Sequence, residues 1–107
     1  SKNMSANEMS DEELDTHFRE LVDLFIDQGN ELAKNSNSEN IGLALLHAAS
    51  RYSAFVVSSH AESLAQYEKD IVSAKSYFQA EYSNMLDENF EDYKQVYVNK
   101  PIDANAG

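Results

Sequence analysis

Two basic side chains one helical turn apart, His47 and Arg51, stand inside the most apolar stretch of this chain, IGLALLHAASRYSAFVVSS from Ile41 to Ser59. A guanidinium in such surroundings must find an acceptor, and an imidazole beside it can help hold an anion or carry a proton. Two readings follow. In the first, Arg51 makes a structural ion pair with Asp23 or Asp27 and locks two helices together. In the second, His47, Arg51, Asp27 and Asn30 line an anion or small-ligand site. Helical periodicity turns Asp23 and Asp27 away from the apolar stripe of their own helix, so the ion pair requires off-centre packing or a second subunit.

Other chemistry lacks its parts. A carboxylate-bridged metal centre in a helical bundle needs Glu-x-x-His pairs, but the residues three before His17, His47 and His60 are Leu14, Ala44 and Val57. No His lies four residues from another, so no metal site and no cofactor are expected. Ser50, Ser53, Ser58 and Ser59 lie near His47 and His60, yet no nucleophile elbow or glycine-rich oxyanion loop accompanies them, so no catalytic residue is assigned. His60 is expected to end a helix, where a cation complements the dipole, and His17 to be solvated.

The 107 residues are enough for one domain. Nineteen acidic residues against eight basic ones give a formal charge of −11, which excludes nucleic-acid binding by phosphate neutralisation and argues against an anionic membrane surface. Arg51 interrupts the Ile41 to Ser59 stretch, so no membrane span is expected. The absence of cysteine and of a basic, apolar N-terminal segment points to the cytoplasm. Ser1, Lys2 and Asn3 ahead of Met4 are read as vector-derived, residues 1–9 as a disordered lead and 99–107 as a disordered tail.

With one proline and three glycines, the punctuation of sheets is missing. Ser10 and Glu13 form a capping box for a first helix reaching about Asn35, with Leu14, Phe18, Leu21, Phe25 and Leu32 as its core stripe and Val22, Gly29 and Ala33 beside it. The segment NSNSEN, Asn35 to Asn40, stops it and caps a second helix from about Glu39 to Ser59. That helix is apolar over most of its circumference and is expected to be buried. A third, about Ala61 to Leu86, carries the seam Leu64, Tyr67, Ile71, Ala74, Phe78, Tyr82 and Met85. Asp87 is read as the cap of a short fourth helix from Glu88 to about Val98, although the third can also run straight through.

Two segments, LFIDQGNELA from Leu24 to Ala33 and GLALLHAASRYSAFV from Gly42 to Val56, resemble a small proteobacterial family of uncharacterised helical proteins, domain of unknown function 3144. The resemblance spans about Glu12 to Val98. It implies an all-helical single domain, with an Asp-plus-Asn pattern at Asp23 and Asn30 and an Ala-Ala-x-Arg-aromatic pattern at Ala48, Ala49, Arg51 and Tyr52; it implies no activity.

The expected fold is all-α: an antiparallel up-down bundle of three long helices with a short C-terminal fourth, occupying residues 10–98. Leu46 and Val57 lie off the main face of the second helix, and Tyr77, Phe90, Tyr93 and Tyr97 exceed the needs of one small core, so these six are the interface candidates. The expected function is that of a non-enzymatic, homodimeric protein-interaction module whose acidic surface suits a basic partner. The alternative is the ligand or enzyme site around His47 and Arg51.

Overall fold

A computed structural model describes residues 9–99. Three helices, α1 (Asp11–Ala33), α2 (Ser38–His60) and α3 (Leu64–Asn99), and no strand occur among the described residues. The expected disordered ends lie outside the described residues, apart from Met9 and from Asn99, which closes α3.

Short-range hydrogen bonds set the boundaries. The Ser10 hydroxyl accepts from the Glu13 N–H at 3.1 Å, and the Glu13 carboxylate accepts from the Ser10 N–H at 2.8 Å, so the capping box is complete. Asp11, Glu12 and Glu13 then place three negative charges in the positive first turn. At the other end, the N–H groups of Lys34, Asn35 and Ser36 each donate three residues back, tightening the chain into the turn before α2. Asn37 caps α2 by accepting from the Asn40 N–H at 2.6 Å. Ser63 does the same for α3, accepting from Gln66 N–H at 3.1 Å, which moves the start of this helix from the expected Ala61 to Leu64.

No fourth helix begins at Asp87. The third helix continues through it as one element of 36 residues. Neither glycine nor proline occurs between Leu64 and Asn99, so nothing breaks the helix at Asp87 and its capping chemistry has no broken turn to act on.

The chain divides into two units, Ser1–Ser53 and Ala54–Gly107. In the first, α1 and most of α2 meet near their turn: a Cβ on Gly29 would stand 3.7 Å from the Ile41 side chain. Gly29 and Ala33 are the half-buried positions of α1, whereas Phe18 and Phe25 on the expected core stripe are exposed, Phe25 by 65%. The small flank of the stripe, not its aromatic centre, takes the contact. In the second unit, Val56, Val57, Tyr67, Asp70, Ala74 and Leu86 are half-buried.

Among the described residues none is buried. The expectation that α2 is buried is overturned: its Leu43 is 67% exposed, and all its residues are exposed or half-buried. An apolar circumference reports a need for cover, but it does not say that the same chain supplies it.

Two substitutions test these features. Replacing Gly29 by Ala places a methyl at ordinary contact distance from Ile41 and is expected to raise stability by about 0.5–1 kcal/mol in urea unfolding. Glu88→Pro is expected to cost about 3 kcal/mol because it falls inside a continuous helix; a helix newly begun at Asp87 would accept proline at its first position.

Candidate functional site

On α2, His47 and Arg51 are four residues apart and share one narrow strip with Asn40 and Ser58, since steps of four and seven residues return to nearly the same side. Around that strip stand Leu43, Ala44, Ala48 and Ala54. On α1, Asp23, Asp27 and Asn30 form a second strip by the same spacing. All seven of these polar residues are exposed.

The structure does not join the two strips. Among the described residues no carboxylate lies within ion-pairing distance of Arg51, so the pair with Asp23 or Asp27 is not made in the single chain. At about 100° per residue, Arg51 lies roughly 80° around α2 from Ile41, and Asp23 and Asp27 lie more than about 100° around α1 from Gly29. Both strips therefore sit off the line where these helices touch.

The acidic strip of α1 keeps its charges in water. The ion pairs of this unit are local: Arg19 with Asp15, Lys34 with Glu31 at 3.0 Å, and His17 with Glu20 at 4.0 Å, all with exposed side chains. Such pairs contribute about 0–1 kcal/mol each. His60 closes α2 at its negative dipole end.

Three serines of α2 turn inward on their own backbone. Ser50 donates its hydroxyl to the His47 carbonyl at 2.8 Å, Ser58 to that of Phe55 at 2.9 Å and Ser59 to that of Val56 at 2.7 Å. The Ser50 proton is thus directed to a carbonyl rather than to an imidazole, the opposite of an activated nucleophile. Among the described residues no group of three or more His, Asp or Glu is placed to hold a metal ion.

The interface candidates are open. Tyr77, in edge-to-face contact with Phe78 at 5.5 Å, is exposed, as are Leu46, Phe90, Tyr93 and Tyr97; Val57 is half-buried. By length and composition α2 is apolar enough to cross a membrane, although Arg51 stands within it and acidic helices precede and follow it. Sequence reasoning passed over Asp87 and Lys94, opposite charges seven residues apart beside the last aromatic stripe. The reading of Asp87 as a cap had hidden that spacing.

The exposed position of Arg51 predicts that Arg51→Gln changes stability by less than about 0.5 kcal/mol in urea unfolding. A loss of about 3–5 kcal/mol would show instead that assembly buries Arg51 against a carboxylate.

Neither the curated proteins nor the solved structures contain a match to this chain. A family model matches residues 18–94, most of its length and all of α2, and the chain belongs to the family described as Protein of unknown function (DUF3144).

Proposed function

We propose that this protein is a non-enzymatic interaction module that works as a homodimer, its helices running up and down as antiparallel neighbours and its apolar faces covered by a second copy. The observation that carries this reading is the absence of any buried side chain among the described residues, in a chain that is 42% hydrophobic. Helices owe most of their stability in water to tertiary burial of an apolar face, so three helices with open faces require a neighbour. Closed twofold dimers are the commonest way to supply one.

Charge supports the same assignment. Counting histidine as neutral, the second helix carries one charge of each sign, on Glu39 and Arg51, so copies can meet there without the repulsion expected of a chain at −11. The outward acidic helices then suit a basic protein partner and disfavour nucleic acid. We read α2 as covered by protein rather than lipid, because a guanidinium within it is costly in hydrocarbon, and we place the protein in the cytoplasm without a cofactor.

A second reading has one observation on its side. Arg51 and His47 share a strip of α2, and Arg51 has no carboxylate partner among the described residues, so an anion could be taken there, with Asp27 and Asn30 as further candidates. Protection of the wild type, but not of Arg51→Gln, against thermal unfolding by small anions would favour it.

Light scattering at tens of micromolar is expected to read about twice 12.0 kDa, and the unfolding temperature is expected to rise with protein concentration. A mass of one chain with cooperative, concentration-independent unfolding would overturn the dimer.

A further inference from the structure

The third helix is longer than either of the other described helices. Among the described residues of its own unit the other helical segment is the last seven residues of α2, Ala54 to His60, tied to the start of α3 by Ala61–Ser63. Even a whole helix of 23 residues, the length of α1 or α2, spans about 35 Å against about 54 Å for α3. In the second half of α3 exposure rises toward the end: Phe78 and Tyr82 are 39% and 44% exposed and Leu86 is half-buried, whereas Phe90, Tyr93 and Tyr97 reach 67%, 70% and 80%.

Leu86, Phe90, Tyr93 and Tyr97 recur at intervals of four, three and four, which is a coiled-coil seam, and Glu88, Glu91, Asp92 and Gln95 fall on the opposite side. Gln95 donates to Glu91 at 2.8 Å within that polar side. Asp87 and Lys94 border the seam on one flank, one heptad apart, and neither has an ion-pair partner among the described residues.

We infer that this end of α3 is a second contact of the dimer, beside the one on α2, where it packs antiparallel against the same segment of a second copy. The inference rests on the dimer proposed above and adds this contact to it. Reversing one copy about the point midway between Phe90 and Tyr93 sets Phe90 of each copy against Tyr93 of the other. The same point is midway between Leu86 and Tyr97, so those two also meet, and the seam closes in four layers.

The flanking charges select the direction. In the antiparallel arrangement the same flank of each helix faces its copy, and Asp87 comes within about 3 Å along the axis of Lys94 of the second copy, twice by symmetry. A parallel pair sets Asp87 and Lys94 against Tyr82 and Asn89 instead, so neither charge is matched. Opposed helix dipoles favour the same choice. With three large aromatic side chains per copy, the contact buries on the order of 1,000 Å², the lower range for a specific interface, which calls for tests at tens of micromolar.

The chain has no cysteine, so disulfides can be placed at will. Full-length Leu86→Cys and Tyr97→Cys chains, one lengthened by a tag and both checked for helix content by circular dichroism, are mixed and oxidised. The expected product is the mixed disulfide, with little of either like-with-like product, because like positions lie about 16 Å apart along the axis. Without cysteine, Lys94→Glu is expected to weaken dimerisation about fivefold or more, and adding Asp87→Lys to the same chain to restore it.

Like-with-like disulfides as the main product would overturn the antiparallel direction. No disulfide in any mixture, with light scattering still reading a dimer, would overturn this contact while leaving the dimer standing. A monomer would remove both. Cysteines at 86 and 97 that are protected from alkylation only when anionic vesicles or a basic protein are added would assign the seam to that occupant and overturn the inference.

Discussion

Helices in water need an apolar face withdrawn from solvent, and in this chain that requirement is left open by the single copy. Capping at Ser10, Asn37 and Ser63 starts each helix, and local ion pairs steady α1, but these contribute only about 0.3–2 kcal/mol each. None can replace hydrophobic burial. With no residue buried among those described, burial within the single copy does not supply the free energy that would select one arrangement of the helices.

The distribution of charge bears on what can associate. The first helix carries eight acidic residues against one arginine, and α2 carries one of each sign. Self-repulsion therefore falls on α1 and spares α2. Toward the end of α3 the pattern changes again, with Asp87 and Lys94 beside an aromatic seam. A strongly acidic protein meets its own copy most readily where charge is absent or matched, a condition that α2 satisfies and that the Asp87 and Lys94 flank of α3 satisfies locally.

The polar residues that attracted notice first, His47 and Arg51, lie on a shared strip, as their spacing requires. Their proposed partners do not join them, because spacing within one helix says nothing of the angle at which another helix approaches. On α1 the contact with Ile41 falls at Gly29, where even a Cβ would stand at an ordinary 3.7 Å, on the small flank of the stripe and away from the exposed Phe18 and Phe25. The serines near His47 show the same limit: their hydroxyls bond their own helix, which is a local preference rather than a sign of catalysis.

What the sequence determined by itself is what depends on a few neighbouring residues: the all-helical class, the capping box at Ser10, the turn through Asn37 and the seam of α3. Each is decided by hydrogen bonds or spacings within about a turn or two of chain. The continuity of α3 through Asp87 was left undecided, because the same aspartate suits a cap or an exposed helical position. Only the tertiary structure decided which flank of α1 meets Ile41 and, among the described residues, that Arg51 has no carboxylate beside it and that the apolar faces remain open. Those outcomes depend on distances between residues far apart in sequence, and an apolar pattern records that a face must be covered without recording by what.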